Sequence, residues 1–263
     1  YMYITDKENP NTLEEKHLLT YNDIETAYNS YHKKYHPLFR NARHVNQYYD
    51  MAIITPDTGM VSYSVIKERQ AGTSLLDGPY QDSNMAECFR LADEAGRNGT
   101  QDSIALVDFQ PFQPSYNAPA MFIATPVYDE VGQYIGVLMA QVSVDVIDQA
   151  ILGHSDWEGT GLGRTGTAYL VGQDTTLRST NRFSDQSVDC LNTTRNTLAV
   201  EQALQGHTGV GEIETPDGTT VFAAWQPVEL AGLRLALVVE METEEAMEAA
   251  TTIDAKTATT KHN

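Results

Sequence analysis

The feature that most restricts the fold of this sequence is an order of short β-rich runs around one helical run, which the chain passes through twice. In the first pass, strand-like Met51 to Thr55 and Met60 to Ile66 flank Pro56-Asp57-Thr58-Gly59, whose residues have the chemistry of a tight turn. The pair reads as a hairpin. A loop from Lys67 to Tyr80 follows, then a helix over about Asp82 to Ala95 with Met85, Cys88, Phe89 and Leu91-Ala92 on its apolar side. Strands at Ser103 to Phe109, Ala120 to Tyr128 and Tyr134 to Val144 close the unit, and a short helix, Asp145 to Leu152, leads onward. The second pass is reduced: strands at Thr167 to Gly172 and Thr176 to Ser179, a helix over Leu198 to Gln205, then strands at Gly209 to Glu214, Thr219 to Gln226 and Leu233 to Glu240. Pro216-Asp217-Gly218 marks a hairpin between the third and second strands from the end of that series. Two antiparallel sheets, each with helices against it, form an α+β architecture.

Helical sequence encloses both passes. From Asn11 to about Gln47, Leu18, Leu19, Ile24, Ala27, Tyr28, Tyr31 and Tyr35 fall near helical spacing, which predicts one long helix with these residues on its apolar face. Pro37 is expected to kink or restart it, because proline removes a backbone donor and disfavours helix at the residue before it. At the other end Glu242 to His262 permits helix, although its threonines lower the propensity. The division expected is a helical spine over 1–47, a first module over 48–150, a second over 151–241 and a terminal helix over 242–263.

Charge excludes some partners. Acidic residues outnumber basic ones 36 to 17, and a net charge of -19 opposes a phosphate-binding groove, so nucleic acid is not expected as a partner. Cys88 and Cys190 make no metal or redox spacing; idle thiols and a bridge between the two halves are both open. His32 and His36 share a helix face, but no third ligand accompanies them, so no metal site is expected. Gly161, Gly163 and Gly166 spell G-x-G-x-x-G, but they precede a strand where a dinucleotide site needs them to follow one. No nucleophile elbow, zinc-protease helix or Cys and His pairing occurs, so neither an enzyme nor a cofactor is expected. No run approaches the ~18 apolar residues of a membrane span, and a start at Tyr1-Met2-Tyr3 suggests an excised fragment.

Several short stretches, in order, resemble the double Cache family of receptor sensor domains over about Tyr21 to Met247. In the first half these are Tyr48-Tyr49-Asp50-Met51-Ala52-Ile53-Ile54, Thr58-Gly59-Met60-Val61, GTSLLDGPY from Gly72 to Tyr80, Ala124-Thr125-Pro126-Val127-Tyr128-Asp129 and Ile135-Gly136-Val137-Leu138. The second half offers GLGRTGTAYLVG from Gly161 to Gly172, Gly209 to Glu214, Ala223-Ala224-Trp225-Gln226-Pro227-Val228 and Leu233 to Glu240. The resemblance implies a long N-terminal helix and two PAS-like modules, one membrane-distal and one membrane-proximal, with a small molecule bound in the distal one. It also implies the periplasmic or extracellular part of a receptor anchored in the cell membrane, first a methyl-accepting chemotaxis protein. A histidine kinase, a nucleotide cyclase, or a protein-binding module with no small ligand are the alternatives. A homodimer through the N-terminal helix is expected with it.

The ligand expected is not a typical α-amino acid. Family members that bind amino acids carry Arg-x-Trp-Tyr after the second distal strand, where this chain reads Tyr80-Gln81-Asp82-Ser83-Asn84-Met85. The family's pocket aspartate, five residues after the Gly of the Gly-Val pair, falls here at Gln141. A pocket on one face of a small sheet needs a few polar groups among aromatics. Tyr63, Lys67, Tyr80, Asp108, Tyr116 and Gln141 are the candidates to rim it, against the plainer possibility that Tyr63 and Tyr116 are ordinary half-buried tyrosines.

Overall fold

The computed structural model of the chain describes residues 16–18, 26–152, 161–183 and 190–248. The chain divides into two compact units, Tyr1–Ser143 and Val144–Asn263.

In the first unit, a single 3-10 turn at Lys16–Leu18 precedes helix α1, Ala27–Val45. Thr26 begins α1 afresh: its backbone is extended, at φ -135° and ψ 156°, and its Oγ1 accepts from the Asn29 amide at 3.1 Å. The long helix expected from Asn11 therefore starts at Ala27, while 11–15 and 19–25 lie outside the described residues. Nor does α1 restart at Pro37. Proline deprives the Lys33 carbonyl of its donor, but both residues are exposed, so water can replace the bond. A second correction concerns the buried face, which is Asn29, His32 and His36, with Tyr28, Tyr31 and Tyr35 turned outward.

Strands β1 (Asp50–Ile54), β2 (Val61–Ser64), β3 (Ala105–Phe112), β4 (Ala118–Tyr128) and β5 (Tyr134–Ser143) form an antiparallel sheet in the order β2-β1-β5-β4-β3. The β1–β2 turn needs Gly59, at φ +60°, because a Cβ there would come 2.7 Å from Leu76 Cγ. Helix α2, Asn84–Arg97, starts where Ser83 Oγ accepts from the Ala86 amide at 3.2 Å. Its buried Met85, Cys88, Phe89 and Ala92 recur at helical spacing and pack on Ala52, Ile54, Phe122 and Met139. The opposite sheet face carries Met51, Val65 and Ala140, packed with Phe39 and Ala42 of α1. Each strand thus sends alternate residues to two apolar layers, which fixes its register. β3 extends past its expected end at Phe109 because it is an edge strand, where Pro111 can pair with Pro119 at no cost in inner ladder bonds.

The second unit opens with α3, Val144–Leu152, then β6 (Thr167–Val171), α4 (Leu198–Leu204), β7 (Gly209–Glu214), β8 (Thr220–Leu230) and β9 (Leu233–Glu242). Its sheet runs β6-β9-β8-β7. The fifth strand expected at Thr176 to Ser179 does not form. That segment divides its backbone bonds between β6, through Arg178 N to Leu170 O at 2.7 Å, and the 191–194 stretch, through Leu177 N to Thr193 O at 3.0 Å. Only isolated bridges result. Tyr169, Val171, Val221, Ala223 and Val238 face Ala199, Val200 and Ala203 of α4 in the core. Past β9 the chain is helical over 243–248, and 249–263 lie outside the described residues.

Candidate functional site

The α2 side of the first sheet is apolar along most of its length and polar at one end. Alternation brings Asp50 to that face from the first position of β1, and in register with it Gln141 of β5, which is paired in turn with Phe122 of β4. These three, with Ala52, Gln70, Met85 and Met139, enclose a cavity of about 10 Å³. That is close to the room one water needs.

Two buried carboxylates organise the surroundings. Asp50 Oδ1 accepts from the amides of Met51 at 2.7 Å and Ile66 at 3.0 Å, and its Oδ2 accepts from Ser64 Oγ at 2.6 Å and Gln70 Nε2 at 3.3 Å. Burial pushes the Asp50 carboxyl up to about 6, against the pull of the hydrogen bonds from Ser64, Ile66 and Met51. Glu68, 2% exposed, accepts from Tyr49 Oη at 2.7 Å and from Ser115 Oγ at 2.6 Å, while Ser115 Oγ accepts from Gln141 Nε2 at 3.1 Å. Burial and the Glu68 contact raise the Tyr49 phenol above its ordinary value. Two acceptors in this region are left over: Gln70 Oε1 and Asn84 Oδ1 are buried with no partner among the described residues.

The structure gathers only part of the set expected from sequence. Gln141 lines the cavity. Tyr80 packs at the margin of the apolar layer beneath α2, and Asp108 is half-buried, its carboxylate accepting from the Phe109 amide at 2.7 Å. Tyr116, at 66% exposure and φ 58°, stands on the surface beside Arg69. Tyr63 and Lys67 belong to the other face of the sheet, under α1. There Tyr63 Oη lies 2.6 Å from His36 Nδ1, His36 Nε2 lies 2.7 Å from the His17 carbonyl, and Lys67 Nζ donates to the carbonyls of Val65 and Lys16. Burial and the Lys67 charge hold the His36 imidazole down at about 3, and burial holds the Lys67 amine down at about 7. Both ring nitrogens of His36 are thus engaged in the protein.

Sequence reasoning missed Asp50, Glu68, Gln70 and Ser115. Asp50 carried a signal, a lone acid opening an otherwise apolar strand. The other three sit in irregular segments with no periodicity to place them. The two cysteines are free and buried, and burial pushes the Cys88 thiol up to about 12. No helix among the described residues is long and apolar enough to cross a membrane.

A family model described as Cache domain matches residues 7–250. Among solved structures, the chain resembles the ligand-binding domain of the Pseudomonas aeruginosa amino acid chemoreceptor PctB in complex with L-Arg, at 18% identity and a TM-score of 0.52, covering 93% of this chain and 83% of that one. The ligand-binding domain of the P. aeruginosa chemoreceptor PctC in complex with GABA gives 17% identity and a TM-score of 0.51, covering 86% and 85%. The extracellular domain of rpHK1S-Z16, described as a histidine kinase, gives 19% and 0.50, covering 80% and 76%. These likenesses show a shared fold. No curated protein matches the chain in sequence.

Proposed function

Because the chain belongs to the Cache domain family over most of its length, we propose that it is the extracytoplasmic small-molecule sensor of a transmembrane receptor, a chemoreceptor, with its first unit as the membrane-distal, ligand-binding module. The observation that carries this is the polar end of the α2 face, where a fully buried carboxylate, two amides and an unpaired Gln70 carbonyl converge on a cavity between aromatic and methionine side chains. Buried polar atoms are rarely left unpaired without a use.

The chemistry of the lining selects the ligand. It offers one carboxylate, two amides and no basic side chain, so it favours a molecule that donates hydrogen bonds, a small amine above all, over a carboxylate. This agrees with the lack of Arg-x-Trp-Tyr and argues against a typical α-amino acid in this cavity. A ligand site usually needs ~300 Å³ or more, and about 10 Å³ is present. In this reading binding therefore requires the face to open. The Ser115 contacts to Glu68 and Gln141 hold it shut, and an amine that takes over Gln141 and Gln70 shifts the population to an open form.

Signalling follows from that shift, since a ligand with equal affinity for both forms would change nothing. A thermal-shift screen of amines, organic acids, sugars and nucleobases tests the proposal. We expect at least one amine to raise the melting temperature, and the gain to vanish in Gln141→Ala and Gln70→Ala. Stabilisation by carboxylates alone, unchanged in both variants, would contradict it.

A further inference from the structure

The sheet of the second unit has its own open end. α4 covers Tyr169, Val171 and Ala223, Val221 lies at the edge of that layer, and beyond it the same face continues with Thr167 and Glu240. Thr167 pairs with Glu240 across β6 and β9, and Val221 with Glu242 across β8 and β9, so these four side chains arise at one end of three adjacent strands. Over them opens a cavity of about 300 Å³, walled also by Arg195 and Asp217. That volume reaches the lower end of the range for small-molecule sites.

Its polar groups are unevenly satisfied. Thr167 is 4% exposed and its Oγ1 has no hydrogen-bond partner among the described residues; the buried Nε of Arg195 has none either. The Arg195 guanidinium lies 5.8 Å from the Tyr169 ring centroid, against an aromatic face. Glu240 is 8% exposed and spends Oε2 on Tyr169 Oη at 2.8 Å. Asp217 accepts from Thr215 Oγ1 and from the Thr219 amide. Two idle donors therefore sit beside acids: the charged lining is Arg164 and Arg195 against Asp217, Glu240 and Glu242, a balance of 2 - 3 = -1.

That balance restricts the occupant. A plain anion would satisfy Arg195 and Thr167 but meet three carboxylates, and a plain cation would leave both buried donors unpaired. We propose that this cavity is a second ligand site, independent of the one in the first unit, whose occupant is a small zwitterion. Its carboxylate is held by Arg195 Nε and the Thr167 hydroxyl, and its cationic group faces Glu240 and Glu242.

The test is calorimetric titration of the whole chain with glycine, β-alanine and 4-aminobutyrate, and with the half-molecules acetate, butyrate, ethylamine and butylamine. In the Gln141→Ala chain, in which the amine site of the first unit is disabled, we expect at least one zwitterion to bind at least tenfold more tightly than every half-molecule. Arg195→Gln and Thr167→Val should each weaken it by tenfold or more, and Gln141→Ala in the first unit should leave it unchanged. Should Arg195→Gln not fold, the near-isosteric Thr167→Val decides alone. Absence of zwitterion binding, equal binding of a half-molecule in the Gln141→Ala chain, binding unaffected by Thr167→Val, or loss in Gln141→Ala would each overturn the proposal. Only the last of these would place the zwitterion in the first unit.

Discussion

Ser115 donates to a Glu68 carboxylate that is 2% exposed and has Tyr49 as its other donor. Replacing Ser115 by Ala leaves a buried anion short of a partner, at a cost of ~1–3 kcal/mol that urea unfolding would read; a loss below ~0.5 kcal/mol would show that water reaches Glu68. On the opposite face of the sheet the buried Lys67 amine is held at about 7, while the unfolded chain keeps an ordinary lysine near ~10.4. Between those values the unfolded state binds more protons, so stability rises with pH across that window. Asp50, raised to about 6, and His36, lowered to about 3, work in opposite directions below neutrality, so the window starts at pH 7, and the Cys88 thiol, pushed up to about 12, opposes the rise only as the pH passes its ordinary value of 9.0. We expect the melting temperature to climb on the order of 5 °C from pH 7 to 9.5, and the climb to flatten in Lys67→Met. An unchanged slope in that variant would assign the effect to another group. Residues of this kind are hard to place from sequence. The position of Gln141 came from the family resemblance, counted five residues past Gly136, whereas Tyr63 and Ser64 are neighbours on opposite faces, so an error of one position in β2 exchanges the two layers.

The helices show the same mixture at the scale of elements. α2 was legible in type and, to within two residues at either end, in extent because its apolar residues form one stripe, although Leu91, expected on that stripe, is exposed. Its Gly96 is not a weak point: a Cβ there would meet the Tyr134 ring at 2.4 Å. Alanine would gain up to ~1 kcal/mol of helix propensity and lose ~1–3 kcal/mol to overpacking, so Gly96→Ala is expected to lower stability in chemical denaturation, and a gain would mean that Tyr134 yields. α1 was legible as a helix but turned inside out. It carries a tyrosine stripe and an imidazole stripe, and periodicity cannot tell which faces the sheet; Tyr63 and the His17 carbonyl, both distant in sequence, decide for His36. The missing strand at Thr176 to Ser179 has a comparable cause, since its β-favouring residues are pulled between two partners that local sequence does not reveal.

For the whole molecule, the outward stripe of α1 bears on assembly. Tyr28, Tyr31, Tyr35, Leu38 and Val45 are exposed at 45, 65, 40, 64 and 67%, and the first four follow the alternating three and four spacing of a coiled-coil seam. A second copy of the chain is the occupant we propose for it. Tyr31→Glu with Leu38→Glu should shift sedimentation from dimer to monomer with little change in melting temperature, and a wild-type chain that stays monomeric at high concentration would refute the assignment. The order of elements across both units was legible because each hairpin and helix carries local signals. The contacts beside Asp50 and Gln141 were not, since ones such as Ser115 to Glu68 join segments far apart in the chain.

The central claim, that a small donor-rich ligand enters beneath α2, can be tested through the chain's eight methionines. Met85 and Met139 line the cavity, whereas Met241 lies on β9 of the second unit. With methyl-labelled methionine, a stabilising amine is expected to move the Met85 and Met139 resonances and to leave Met241 in place. If every stabilising compound moves Met241 and none moves Met85 or Met139, the first unit is not the sensing module.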